Sequence, residues 1–127
     1  MKTFSFWILF LTGLGLLFIG GRFLFLPHEA ELAYGIHIST SDFSFHYIKG
    51  IRDIFSGLVV LTLLFAKEYR ALGIALLCAV IVPAGDFLVV FSHPDYETGK
   101  LIPHITAVII CLVFGVYNLK MGKKSGL

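Results

Sequence analysis

Four stretches of the chain, Phe4–Leu26, Tyr47–Ala66, Ala71–Phe91 and Leu101–Leu119, are almost entirely apolar. Each is close to the roughly 20 residues an α-helix needs to cross a hydrocarbon core about 30 Å thick. In a chain of 127 residues this leaves little for anything but the connections. Charged residues make up 14% of the chain, against roughly a quarter in a soluble domain. The expected fold is therefore all-α, a four-helix transmembrane bundle forming one domain over residues 1–127, with a lipid bilayer as its surroundings. Such a chain has no room for a separate soluble catalytic domain.

Four crossings place both termini on one side. Lys2, Lys67, Arg70, Lys120, Lys123 and Lys124 flank the segments on the side of the termini, opposed only by Glu68. The other side has Arg22, Lys49, Arg52 and Lys100 among seven of the eight acidic residues. An excess of basic residues marks the cytoplasmic side, so both termini are expected in the cytoplasm and the protein in the plasma (inner) membrane. The first segment follows Lys2 as a signal peptide would, but its apolar run is too long and no A-x-A-like site follows, so it reads as a retained helix. Cys78 and Cys111 fall mid-segment and form no C-x-x-C pair, which argues against thiol redox chemistry.

The connections differ in character. The first outer loop, from Pro27 to His46, is the longest; its loose alternation predicts a short interfacial helix or strand over the bundle. KEYR, Lys67–Arg70, is tight and predicts that the second and third helices are antiparallel neighbours. SHPDYETGK is rich in turn residues, and the MGKKSGL tail suits a region near anionic headgroups.

Within the third segment the run VPAGDF, Val82–Phe87, puts a carboxylate three residues after a proline. Asp86 lies five residues before the outer end of its segment, Arg22 four before the end of the first, and His104 three after the start of the fourth. The second segment has only 13 uncharged residues from Ile54 to Ala66. At 1.5 Å per residue these reach only about 20 Å, so the helix must extend through Asp53 and Arg52. Five ionisable groups on four helices thus share one depth, roughly 5–8 Å inside the outer helix ends. Direction agrees with depth. Ala75, Ala79, Pro83 and Asp86 share a face, as do Gly50, Asp53 and Gly57, and His104, Ala107, Cys111 and Gly115. Small residues mark the seams along which membrane helices pack. Arg22 shares its face with Gly15 and Phe18.

Charges inside a membrane are normally paired or next to a water-filled cavity. Arg52 and Asp53 are adjacent on a helix and diverge by about 100°, so the expected arrangement gives Asp86 to one arginine and Asp53 to the other, with His104 alongside. Pro83 leaves the carbonyl of Ala79 without its helical donor. With Gly85 it is expected to kink the helix below Asp86 and open a recess toward the outer face. Such a network equally suits a purely structural role, fixing helix register. His28, His37, His46, His93 and His104, with Glu29, Glu31 and Asp42, form an outer set that offers an alternative, a metal-binding protein. No two of its histidines have the i, i+4 ligand spacing, so no metal site is assigned. The basic residues flank the membrane and do not form a patch, which argues against nucleic-acid binding.

The runs GGRFLFLP (Gly20–Pro27), YIKGIRDIFSGL (Tyr47–Leu58) and VPAGDF, followed by a histidine opening the last helix, resemble an uncharacterised family of small four-helix membrane proteins known only as a domain of unknown function. Its pattern combines G-x-R-x-L-x-x-P, G-x-R-D with a following glycine, and P-x-x-D. Arg22, Leu24, Pro27, Gly50, Arg52, Asp53, Gly57, Pro83 and Asp86 carry it in this chain. The resemblance implies a four-helix bundle and singles out the same charged residues. It implies no activity.

The expected ligand-binding residues are therefore Arg22, Arg52, Asp53, Asp86 and His104, holding the polar head of a small amphiphile such as a lipid, isoprenoid or quinone-like molecule. Should the site catalyse, proton transfer is the chemistry that needs no cofactor, and no cofactor motif is present. Asp86 or Asp53 would act as acid or base, His104 as proton shuttle, and an arginine would stabilise developing negative charge. The alternative is an accessory membrane subunit, in homo-oligomers or with a partner membrane protein, whose ion pairs only set the packing.

Overall fold

Long apolar helices with glycine at seven-residue intervals can approach closely along one stripe, and this sets the architecture. The structure, a computed structural model, describes residues 2–36 and 42–124. All regular structure among them is helical. α1 spans Lys2–Phe25, α2 Pro27–Tyr34, α3 Ser44–Phe65, α4 Tyr69–Ala79 and α5 Ile81–Phe91. A 3₁₀ turn, Thr98–Leu101, leads into α6, Ile102–Lys124.

Three of these units, Lys2–Phe25, Tyr69–Phe91 (α4 and α5 end to end) and Thr98–Gly122, are long and apolar enough to cross a membrane. They suit a lipid bilayer. α3 is of similar length but carries Lys49, Arg52 and Asp53 and is not among them.

The helices pack as two pairs. α1 runs against α3, and α4 runs against α6. Glycines determine how close each pair comes. A Cβ placed on Gly20 would stand 2.6 Å from the Gly50 carbonyl oxygen, and one on Gly57 2.8 Å from the Gly13 carbonyl oxygen. In the other pair, a Cβ on Gly73 would collide with the Leu119 backbone and lie 2.7 Å from the Gly115 carbonyl oxygen. The seams through Gly50 and Gly57 and through Gly115 are those expected from the sequence. The seam of α1 is not: it runs through Ser5, Leu9, Gly13, Gly20 and Phe23, while Gly15 faces open space. Arg22 is about 200° around the helix from Gly20 and so lies off the stripe that packs on α3. The tight Ala66–Glu68 connection, where Lys67 takes the left-handed φ of 59°, makes α3 and α4 successive in the chain. The two are in contact, as the tight loop predicts, although each packs more extensively on another helix.

Two other expectations are refined. The third apolar segment is two helices joined at Val80, whose φ of −52° and ψ of −34° keep a helical course. The break follows Ala79, whose carbonyl Pro83 cannot serve; it falls there and not at Gly85. The first outer loop contains a helix, α2, opened by Pro27 at its first turn and closed by Gly35. Gly35 has φ 116°, and its N–H donates to the Glu31 carbonyl at 3.0 Å. A side chain there would be strained, and a Cβ would meet Lys100 and Val90 at 2.9 Å.

The apolar interior has two centres. Leu9, Val60, Leu64, Leu72, Leu76 and Phe114 fill the half near the termini, joining α1, α3, α4 and α6. Phe23, Ala30, Tyr34, Ile36, Val90 and Leu101 fill the other end beneath α2. Large apolar residues such as Phe18, Phe25, Phe55, Ile51 and Ile81 point outward.

Candidate site: an internally paired charge cluster above an apolar cavity

α3 begins at Ser44, so Lys49 lies more than a turn inside it, and Lys49 and Asp53 stand one turn apart on the same face. The Lys49 ammonium donates to Asp53 Oδ2 at 2.7 Å and lies 3.7 Å from Asp86 Oδ2. Arg52 Nη2 donates to both oxygens of Asp86 at 3.1 Å. Its Nε lies 3.7 Å from Asp53 Oδ1, beyond hydrogen-bonding distance, and is buried without a hydrogen-bond partner. The Tyr34 hydroxyl, reaching in from α2, donates to Asp86 Oδ1 at 3.0 Å. Burial, and then the Asp86 carboxylate, push the Tyr34 phenol well above its ordinary value, so the hydroxyl stays protonated and remains a donor. The faces of Phe23 and Tyr34 lie 5.1 and 5.0 Å from the Lys49 ammonium, a cation–π contact on each side.

Lys49, Asp53 and Asp86 are 6%, 3% and 8% exposed, while the Arg52 side chain is 38% exposed. Two cations face two carboxylates, and the charges cancel locally. That cancellation is the condition under which buried ions are tolerated.

His104 joins from α6. Its Nε2–H donates to the Tyr34 carbonyl at 2.9 Å, and its ring meets the Tyr34 ring edge-on at 5.0 Å. A second tie holds α2 down. His46, fully buried at the start of α3, has Nε2 2.7 Å from Glu31 Oε2 and donates to it. Its Nδ1 is buried without a hydrogen-bond partner. His28 Nδ1 lies 3.4 Å from the other Glu31 oxygen.

A cavity of about 460 Å³ lies between the two helix pairs, below this cluster. Leu16 and Ile19 of α1, Ala79, Val82 and Pro83 of α4 and α5, and Ala107, Ile110 and Cys111 of α6 form its apolar walls. Its polar lining is Arg22, Tyr34, Lys49, Asp53, Asp86 and His104, with Thr12 and Ser56 deeper along the helices. From Thr12 to Arg22 the α1 wall rises about 15 Å.

The structure thus brings together Arg52, Asp53, Asp86 and His104. It places Arg22 on the cavity lining but not in the cluster. The Arg22 guanidinium lies 5.7 Å from the Phe18 ring and makes no ion pair among the described residues. The expected second arginine–aspartate pair is therefore corrected: Lys49 holds Asp53. Lys49, Tyr34, Glu31 and His46 were missed as members of the site. The i, i+4 spacing of Lys49 and Asp53 was a readable signal for the first; the others depend on how α2 folds back.

The outer histidines do not form a metal centre among the described residues, where no three of His, Cys, Asp and Glu are arranged to hold an ion. His93 is engaged with the Val89 carbonyl at 2.9 Å. His37 lies outside the described residues.

The sequence model of a family described as Domain of unknown function (DUF4267) matches residues 13–118, from within α1 to within α6. No curated protein and no solved structure matches the chain.

Lys49→Met strands the Asp53 carboxylate in a buried position and is expected to lower the unfolding free energy by about 3 kcal/mol. Adding Asp53→Leu should restore most of the loss. Denaturant unfolding in mild detergent measures both; an unchanged Lys49→Met protein would show that the pair contributes nothing.

Proposed function

The chain belongs to the DUF4267 family, and we propose that this member is an integral membrane protein that holds a small amphiphilic molecule in the cavity between its two helix pairs. The cavity carries the reading. Its volume, about 460 Å³, is in the range of small-molecule sites, which run from about 300 to 1,000 Å³. Its walls are apolar and its polar groups are concentrated at one end. That division suits a molecule with a greasy body and a polar head.

In this reading α3 is a fourth crossing. Its charged residues turn inward to partners, while Ile48, Ile51, Phe55 and Leu58 face outward. The ion pairs then sit within the outer third of the membrane. Four crossings put both termini on the side richer in lysine and arginine, the cytoplasmic face of the plasma (inner) membrane. In a background of Cys78→Ala and Cys111→Ala, a cysteine replacing Asp95 should react with a membrane-impermeant maleimide on intact cells. One replacing Lys2 should react only after lysis. The reverse pattern would overturn the topology.

Binding is favoured over turnover because of how Asp86 is engaged. It accepts from Arg52 and Tyr34 and lies close to Lys49, whereas a general base needs a lone pair turned to the substrate. If the site does catalyse, Asp86 or Asp53 remains the acid or base and His104 the proton carrier. The competing reading, an accessory subunit fixed by its ion pairs, draws support from the complete pairing inside the cluster.

Ala107 is a small residue of the cavity wall, and Ala107→Phe fills the space without touching the ion pairs. An uncharged fluorescent fatty alcohol should bind wild-type protein, and Ala107→Phe should weaken it by about tenfold or more, ~1.4 kcal/mol. The unfolding transition of the variant should stay close to wild type. Equal binding by both proteins, or none by either, would favour the accessory reading.

A further inference from the structure

We infer that the amphiphile is anionic, a hydrocarbon chain ending in a carboxylate or phosphate, and that Arg22 receives its head. The inference rests on the amphiphile-binding reading above and adds the charge of the ligand.

The charges around the cavity do not balance. Asp53 and Asp86 contribute two negative charges, and Lys49 and Arg52 two positive ones within 3.7 Å of them. This set is neutral by itself. Arg22 is a third cation; it lines the cavity, as Lys49 does, whereas Arg52 does not. Among the described residues it has no acidic partner, and its only aromatic neighbour is Phe18 of its own helix, 5.7 Å away. Residues 37–41 read HISTS and contain no carboxylate that could serve it. The helix geometry explains the isolation. Arg22 lies off the α1 stripe that packs on α3 and makes no ion pair with the cluster that Phe23, its neighbour in the chain, touches through the Lys49 cation–π contact.

An uncompensated cation at the edge of an apolar cavity is costly, and a bound anion removes that cost. The planar guanidinium fork matches a carboxylate or a phosphate in a way an ammonium does not. A neutral head leaves Arg22 as it is. A cationic head adds a fourth positive charge where both carboxylates are already engaged. An anionic head gives balance, with the chain lying along Leu16, Ile19 and Ile110 toward the bundle centre.

The test uses displacement of the uncharged fluorescent fatty alcohol by dodecanoate, dodecyl phosphate, dodecanol and dodecylamine, which share one chain, and by inorganic phosphate. A charge-assisted hydrogen bond contributes about 1.5–3 kcal/mol, so the two anions should displace the probe at concentrations about tenfold or more below the alcohol and the amine. Arg22→Gln should bring the anions to the level of dodecanol, and Arg22→Lys should keep part of the preference. Dodecanol matching the anions on wild type, or an anion preference that survives Arg22→Gln, would overturn the inference and leave amphiphile binding standing. Inorganic phosphate as effective as dodecyl phosphate would also overturn it, because the chain would then play no part. So would a preference that vanishes in nanodiscs of zwitterionic lipid, since Arg22 would then be serving bilayer phosphates. Failure of every compound, and of the probe itself, would remove the amphiphile reading together with the inference.

Discussion

A carboxylate placed among hydrocarbon helices must find a cation, and much of this structure follows from how two carboxylates do so. Asp53 is met by Lys49 from one turn away on the same helix, and Asp86 by Arg52 from across the bundle. The second pair ties α5 to α3, elements from different helix pairs. Tyr34 adds a hydrogen bond from α2, and His104 reaches the backbone of that same tyrosine from α6. Four separate elements are thereby registered at one level by polar contacts whose loss would leave charges stranded. Specific geometry of this kind is unavailable to the apolar contacts alone, which tolerate sliding.

Below that level the two helix pairs are free to be different things. Within each pair, glycine lets backbones approach until carbonyls lie against Cα atoms, so α1 with α3 and α4 with α6 act as rigid ribs. Between the pairs the contact is looser. The break at Val80, which follows from Pro83, lies beside the space that remains. The cavity is thus a product of unequal packing: tight seams within pairs, a polar clamp and α2 above, the Leu9–Leu72 core below.

Some of this was legible in the sequence and some was not, for identifiable reasons. The depth of Asp53, Asp86, Arg52 and His104 could be read because helical rise converts residue number into distance, and small-residue faces give direction. The Arg52–Asp86 pair follows from that. Lys49 escaped because α3 was taken to begin at Tyr47, which left this lysine at a helix mouth; with Ser44 as the first residue it lies inside the helix and faces Asp53. Arg22 shares the cluster's depth, but the face it forms with Gly15 and Phe18 is not the one that packs on α3. The true α1 seam, Gly13 and Gly20 matched by Gly50 and Gly57 at the same seven-residue interval, would have placed it on another face. Tyr34, Glu31 and the His46 contact depend on α2 turning back over the bundle, a tertiary event with no periodic signal. The tightness of the KEYR turn spoke for α3 beside α4, and the two do touch, while the glycine seams set the more extensive contacts with α1 and α6.

The proposed binding role depends on the cavity being occupied. Native mass spectrometry on the wild-type protein, purified in mild detergent and released from its micelle, addresses this without any assumed ligand. The account predicts a protein that carries one small molecule of reproducible, defined mass, with accurate mass and fragmentation consistent with a hydrocarbon chain bearing a polar head. A spectrum showing only the bare chain, or only heterogeneous bilayer lipids lost at low activation energy, would contradict it.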